Sequence, residues 1–279
     1  MMKKAIQIAY NELFETKCRF AAEVGFEYIS ANLSEILGKT EYDWEVITED
    51  IQRILDETNL KCVQSHPYYY DLRVSSEIME EEYEFAIKQA IIATGKLGGR
   101  WSVIHPRSAV NAGFSTSKAF EDNSRYLSEY LELAVKHGSG IAVENLPVFH
   151  GIVPVMPFYS SNFEDLSTLV DSFNDENIQV CWDFGHANLM HFDQAEAIKF
   201  MGSRIKCTHV HNNFKHDDDH LPPDNGNIQW NKVMSALHST GFDGPLTLET
   251  HCRYVDLELL KSFARHNYEC LRFIEQYAK

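Results

Sequence analysis

The sequence predicts a single (β/α)8 barrel over residues 1–279, on three observations. Short, β-branched apolar runs of strand length recur eight times, at 5–9, 26–31, 61–66, 101–105, 141–145, 178–183, 205–211 and 245–250. Segments with helical spacing lie between them, so each strand is followed by a crossover and the strands are parallel. The length of 279 residues is close to the roughly 250 that eight such units need. An open doubly wound sheet is the alternative arrangement of the same alternation.

Taken in order, the first run passes into a helical stretch that stops at Glu23-Val24-Gly25-Phe26, where the glycine fits a helix C-cap. After the second run, Trp44, Ile47, Ile51, Ile54 and Leu55 mark one apolar helix face. After the third, Tyr83, Ala86, Ile87, Ala90, Ile91 and Leu97 do the same, ending at Gly98-Gly99. After the fourth, Phe120, Tyr126, Leu127, Leu131 and Val135 define a helix that stops before Gly138-Ser139-Gly140. The last helix is expected over 257–277. Long connections at 146–162 and 212–229, rich in Pro, aromatic, His and Asp residues, follow strands rather than helices. Long loops confined to that end of a barrel carry function.

Composition narrows the class. Hydrophobic residues make up 44% and charged residues 24%, as in soluble globular proteins. No stretch approaches the roughly 18 uninterrupted apolar residues of a membrane span. The N-terminal Met1-Met2-Lys3-Lys4 is followed by Gln7, Asn11, Glu12 and Glu15, which break any signal-type apolar core, so a cytoplasmic location is expected. The six cysteines form no Cys-x-x-Cys pair and read as reduced, mostly buried thiols. Lys+Arg minus Asp+Glu gives 25 − 41 = −16, which repels nucleic acid and suits a small neutral substrate. Homo-oligomerisation is left open.

Alternate residues of a strand share a face, so Gln64 and His66, Val103 and His105, Ala142 and Glu144, Cys181 and Asp183, His209 and His211, and Thr247 and Glu249 pair up. With the lower residue of each pair inside the barrel, the upper one reaches its C-terminal mouth. Six consecutive strands then each deliver a ligand-type side chain to one rim. Glu144, Asp183, His211 and Glu249 make a hard, oxygen-rich set suited to one divalent ion, Mn²⁺, Co²⁺ or Mg²⁺, without excluding Zn²⁺. Burying these carboxylates without a cation would be costly. His66 and His105 offer a second ion bridged through Glu144, or a substrate contact. His186, Asp218 and His220 lie in loops and extend the set to as many as three ions. His209, one layer deeper than His211, is expected to be a core or supporting residue. Among rim aromatics and cations, Tyr68, Phe149 and Lys215 are candidate substrate contacts.

The segments Ser65-His66-Pro67, Ile104-His105-Pro106, Val143-Glu144-Asn145, Asp183-Phe184-Gly185-His186-Ala187-Asn188, His209-Val210-His211-Asn212-Asn213, Asp218-Asp219-His220-Leu221-Pro222-Pro223, Gly226-Asn227-Ile228-Gln229-Trp230 and Leu248-Glu249 resemble the xylose-isomerase-like barrel superfamily. That superfamily joins sugar isomerases and epimerases to abasic-site nucleases of the endonuclease IV type. The resemblance implies a metal-dependent barrel enzyme and three readings of its function. In the first, a sugar or sugar phosphate isomerase or epimerase, Glu144 and Glu249 move a proton across a metal-stabilised enediolate while His186 holds a substrate oxygen. The Arg that ketose epimerases place a few residues after the strand-7 His is missing here, where the chain has Lys215 and His216. In the second, all nine ligand positions of a three-zinc phosphodiesterase acting on abasic DNA have a counterpart: His66, His105, Glu144, Asp183, His186, His211, Asp218, His220 and Glu249. Against it, the rim offers Arg73, Arg107 and Lys215 beside Asp71, Asp217, Asp218, Asp219 and Asp224, too little positive charge to hold a duplex. The third is a non-catalytic sugar- or metal-binding protein. The first is the expected function.

Overall fold

A computed structural model describes residues 2–69, 77–107, 116–148, 159–252 and 256–279. Its strands are β1 (Lys3–Ala9), β2 (Tyr28–Asn32), β3 (Lys61–His66), β4 (Trp101–Ile104), β5 (Gly140–Glu144), β6 (Ile178–Asp183), β7 (Ile205–Val210) and β8 (Pro245–Leu248). Each pairs in parallel with the next, and β1 pairs with β8 through Lys3↔Pro245 to Ile6↔Leu248, which closes the barrel and excludes the open sheet. Helices α1 (Phe14–Val24), α2 (Glu41–Thr58), α3 (Glu77–Lys96), α4 (Thr116–Lys136), α5 (Phe163–Ser172), α6 (Phe184–Leu189), α7 (Gln194–Met201), α8 (Trp230–Ser239) and α9 (Leu257–Glu275) surround it. Among the described residues no helix is long and apolar enough to cross a membrane.

Local chemistry explains where the helices begin and end. Thr40 and Asp43 form a reciprocal capping box at the start of α2, and Asn162, Asp193 and Asp256 cap α5, α7 and α9 with their side-chain oxygens. Gly25 takes a left-handed φ of 111° and its N–H closes α1 onto Ala21 and Ala22. Helix α9 ends at Glu275, two residues before the expected 277, with Gln276 as its cap.

Two separate apolar layers form. Trp101, Val103, Ala142, Cys181 and Cys207 cluster together and fill the barrel, while the larger cluster, including Ile29, Ile51, Leu127, Trp182 and Leu248, lies between strands and helices. Val103, Ala142 and Cys181 are the residues two positions below His105, Glu144 and Asp183, so the ligand-type side chains share the inward face. All six cysteines are free thiols.

The sequence-based expectation of one helix per connection differs from the structure after β6. There the short α6 precedes α7, because the Asp183 carboxylate caps it by accepting the His186 N–H at 2.6 Å. His186 therefore sits on a helix rather than in a loop.

Candidate metal centre

The C-terminal ends of the strands carry the site. His66 and Glu144 are the last residues of β3 and β5, and Asp183 is the last of β6. His105, His211 and Glu249 stand within a residue of the ends of β4, β7 and β8. Asp218 and His220 arrive on the connection after β7, which an Asn212–Leu221 bridge folds back against the strand end. All of these side chains are buried or half-buried.

Among the described residues four groups of donors lie at this end of the barrel, each with ligand atoms within 4.8 Å of one another. Glu144, Asp183, His209 and Glu249 form the innermost. His209 Nδ1 lies 3.0 Å from Glu144 Oε1, 3.1 Å from Glu249 Oε2 and 3.8 Å from Asp183 Oδ2. His66, His105 and Glu144 form the second, with Glu144 Oε2 3.0 Å from His105 Nε2 and 3.5 Å from His66 Nε2. His66, His209 and Glu249 form the third, linking the first two, and His186, His211, Asp218 and His220 form a fourth that shares no member with the others.

The innermost cluster differs from the expected four-residue set in one imidazole. His209, expected to be a core or supporting residue, is the imidazole that meets the carboxylates of Glu144 and Glu249. Of the three strand-end carboxylates, His211 meets Asp183, Nε2 to Oδ2 at 3.0 Å, and it otherwise belongs with His186 and His220. The reason is local: β7 ends at Val210, so His209 remains in the barrel while the His211 ring leans over α6. A Cβ on Gly185 would sit 1.9 Å from His211 Cε1, so only glycine admits the ring there.

Hydrogen bonds fix which ring nitrogens face inward. A backbone carbonyl can only accept, so a ring nitrogen bonded to one must carry the proton. His66 Nδ1 donates to Pro67 O at 2.9 Å, His186 Nδ1 to Asn145 O at 3.0 Å and His220 Nδ1 to Glu249 O at 2.8 Å. The Nε2 of each is thereby turned inward, and backbone anchoring of the outer N–H is the arrangement that supports metal-ligating histidines. His186 Nε2 and His220 Nε2 then stand 3.1 Å and 3.2 Å from the same Asp218 Oδ2. A neutral imidazole so oriented presents a lone pair to the carboxylate, and two acceptors at that distance repel unless a proton or a metal ion intervenes.

The electrostatics express the same demand for positive charge. Burial works against a charge on His209, yet Glu249 and Glu144 outweigh it and hold its pKa well above the ordinary value. Likewise for His186, where burial is opposed by Asp183 and Asp218, and for His220, pushed up to about 9 by Asp218 and Glu249 against its burial. Burial would raise the carboxyls of Glu144, Glu249 and Asp218, but the surrounding imidazoles hold all three below the usual range. His105 moves down, chiefly through burial.

The donors fit divalent cations. Glu144 Oε2, Glu249 Oε2, Asp218 Oδ1, His209 Nε2 and His211 Nδ1 are buried and make no hydrogen bond to the described residues. Their carboxylate and imidazole chemistry suits Mn²⁺, Co²⁺, Mg²⁺ or Zn²⁺.

Supporting residues that the sequence did not single out complete the site. Gln7 on β1 donates from Nε2 to Glu249 Oε1 at 2.8 Å and is itself held by Asn32 Nδ2 at 3.2 Å. Its place in a strand, two after Ala5, was the available signal. Tyr69 stacks on His105 at 5.0 Å, whereas Tyr68, an expected substrate contact, packs on Tyr83 at 4.4 Å as part of the wall. His251 stacks on His220 at 4.1 Å. Lys215 has a left-handed φ of 69°, and its N–H is tied to Asn213 Oδ1; among the described residues its ammonium makes no ion pair with the donor groups. Arg107 pairs with Glu84 and lies 4.4 Å over the Tyr126 ring. Phe149, Phe158, Tyr70, Asp71 and Arg73 lie outside the described residues, as does much of the long 146–162 connection.

Comparison with known proteins agrees with this architecture. Residues 18–272 match the family model described as xylose isomerase-like TIM barrel, and the chain belongs to that family. A relative, the uncharacterized protein MJ1311 of Methanocaldococcus jannaschii, is 26% identical over 239 residues, covering 80% of this chain and 79% of its own. The crystal structure of 3-keto-D-glucoside 4-epimerase, YcjR, from E. coli superposes with a TM-score of 0.76 at 16% identity, covering 99% of this chain and 100% of that one. A D-allulose 3-epimerase from Methylomonas sp. gives 0.76 at 15% identity, covering 98% and 96%. A xylose isomerase domain protein from Alicyclobacillus acidocaldarius gives 0.77 at 14% identity, covering 100% and 99%. At these identities the likeness to the solved structures is one of fold.

Proposed function

We propose that this protein is a divalent-metal-dependent sugar isomerase or epimerase. The observation that carries the reading is the pair Glu144 and Glu249, whose carboxylates meet the same His209 Nδ1 at 3.0 Å and 3.1 Å at the mouth of the barrel. Kinship with a family that includes sugar isomerases, and the sugar epimerases among proteins of the same fold, support it.

The innermost donors, Glu144, Asp183, His209 and Glu249, would hold the ion, with His211 reaching Asp183 from above. A divalent cation there would polarise a sugar carbonyl and make the neighbouring C–H more acidic. Glu144 and Glu249 are the residues that would take the proton from that carbon and return it. Gln7 keeps Glu249 oriented by holding Oε1, which leaves Oε2 toward the site. His186, fixed by Asn145 O and facing Asp218, would hold a substrate oxygen. Tyr69, over His105, offers an apolar face to a sugar ring.

The test is solvent deuterium wash-in at carbons next to the carbonyl, over a panel of ketoses and their phosphates, with Mn²⁺ or Co²⁺ supplied. Exchange with product formation supports the reading. Sugar binding without exchange across the panel would leave the non-catalytic alternative in its place.

One observation favours a second reading. The donors fall into several groups rather than one, and His186, His211, Asp218 and His220 share no member with the carboxylate cluster, which leaves room for more than one ion, as a three-zinc phosphodiesterase acting on abasic DNA would need. The net charge of −16 and the engagement of Arg107 by Glu84 weigh against a duplex on this rim. Cleavage of an abasic-site duplex by the zinc-loaded protein, without ketose exchange, would establish it.

A further inference from the structure

Away from the barrel mouth, Asp224, His266 and Cys270 bring an oxygen, a nitrogen and a sulfur donor together, and we infer that they form a separate binding site for a borderline-soft divalent cation of the Zn²⁺ type. His266 and Cys270 are four residues apart on α9 and so project from one face, one turn above the other. Asp224 comes from the connection between β7 and α8, which brings in the third donor from a different part of the chain.

The geometry matches a metal triangle. Asp224 Oδ1 lies 3.0 Å from His266 Nε2 and 3.4 Å from Cys270 Sγ, and Sγ lies 3.6 Å from Nε2. Zinc bonds of about 2.0–2.3 Å at tetrahedral angles space such donors roughly 3.4–3.6 Å apart. The triangle therefore needs an adjustment of a few tenths of an ångström at its Asp–His edge. Exposure is also suitable: Cys270 is 8% exposed, whereas Asp224 and His266 are about half exposed, with side chains at 54% and 51%. The sulfur is protected and the fourth coordination position opens to solvent.

Asp224 is held in place independently of its two partners. The preceding carbonyl, Pro223 O, accepts from Asn212 Nδ2 at 2.8 Å and from Trp230 Nε1 at 2.6 Å. The same connection carries Asp218 and His220 to the barrel mouth. A cation on the triangle would tie that connection to α9. Binding breaks the Cys270 S–H bond: the proton leaves to solvent and the thiolate sulfur donates to the metal. The thiolate makes this site softer than the carboxylate-rich rim and selects Zn²⁺, Co²⁺ or Cd²⁺ over Mg²⁺ and Mn²⁺.

The experiment is titration of the metal-stripped full-length protein with Cd²⁺ and with Co²⁺, following the thiolate-to-metal charge-transfer absorption. The oxygen and imidazole donors of the rim give no such band, so the signal reports sulfur ligation alone. One equivalent of the band is expected in the wild type and in Cys252→Ser, the control for the thiol nearest Glu249 in sequence. It should vanish in Cys270→Ser, a near-isosteric change checked by circular dichroism. In His266→Ala, at a half-exposed position that the fold tolerates, the midpoint should rise on the order of tenfold or more. Absence of the band from the wild type at saturating Cd²⁺, its survival in Cys270→Ser, or an unchanged midpoint in both His266→Ala and Asp224→Asn would overturn the inference. None of these outcomes depends on turnover, so the sugar reading can fail while this site stands.

Discussion

Asn145 and Asp183 exchange two hydrogen bonds across the mouth of the barrel: Asn145 Nδ2 donates to Asp183 O at 2.9 Å, and Asp183 N–H donates to Asn145 Oδ1 at 2.7 Å. The side-chain amide thus stands in for a further rung of the ladder between β5 and β6, just past the point where β5 ends at Glu144. Both residues are buried, and the pair sets the spacing between two of the carboxylate-bearing strands. Asn145 O in turn takes the Nδ1 proton of His186.

Replacing that amide should loosen both fold and site. Asn145→Ala removes both bonds and leaves the buried Asp183 N–H without this partner, while the Asp183 carbonyl, at the N-cap of α6, keeps the first helical N–H; a loss of about 1–3 kcal/mol is expected from the cost of an unsatisfied buried group. Denaturant unfolding measures it. Metal affinity should fall together with stability, and unchanged values for both would show that the amide bridge is dispensable.

Glu144→Gln and Glu249→Gln should each abolish deuterium wash-in while leaving circular dichroism unchanged. The amide keeps the shape but can neither take the proton nor supply the negative charge. Robust exchange in either variant would rule out the two-carboxylate mechanism.

Gln7 gives a milder variant. Its donation to Glu249 Oε1 is a hydrogen bond to a charged group, about 1.5–3 kcal/mol when lost. Gln7→Leu should slow turnover by roughly tenfold to a hundredfold with metal stoichiometry intact. Loss of the metal instead would make Gln7 a structural support of the ligand set.

Gly185→Ala tests the position of the His211 ring, because the added methyl would meet Cε1 at 1.9 Å and must displace it. Overpacking of this kind costs about 1–3 kcal/mol. The melting temperature should drop, and elemental analysis should show reduced occupancy of the group containing His211.

Metal removal should destabilise the wild type. An ion present at about 100 times its dissociation constant adds roughly 2.7 kcal/mol, which for a chain of this size corresponds to about 5 °C or more in melting temperature. Melts with EDTA and with added Mn²⁺, Co²⁺ or Zn²⁺ give the difference for each ion. A melting temperature indifferent to all of them would refute tight binding to the folded state.

Much of the barrel is legible in the chain because its signals are local. Strands 61–66 and 178–183 begin and end where the alternation of apolar residues does, and Gly25 marks the end of α1 because a left-handed residue is needed there. The inward face can also be read from period two, since Ala142 below Glu144 and Cys181 below Asp183 share a face by backbone geometry alone. Helix α6 was harder to read, because six residues are too few to show helical periodicity and the cap that starts it is the same Asp183 expected as a ligand.

What the sequence by itself determined, then, is the alternation that makes a (β/α)8 barrel and the set of strands that end on donor side chains. Both follow from periodicity along a single strand or helix. What only the tertiary structure decided is how the donors divide among groups. His209 and His211 are two residues apart on one face, and the period-two rule that puts His211 one layer higher does not say which carboxylate each imidazole meets. His209 joins Glu144 and Glu249 because β7 stays in the barrel up to Val210, and His211 turns toward His186 and His220 because Gly185 leaves room for its ring. Asp224, His266 and Cys270 likewise meet only after the connection behind β7 is laid against α9. Such meetings depend on distances between chain segments far apart in sequence, which packing sets and local pattern does not encode.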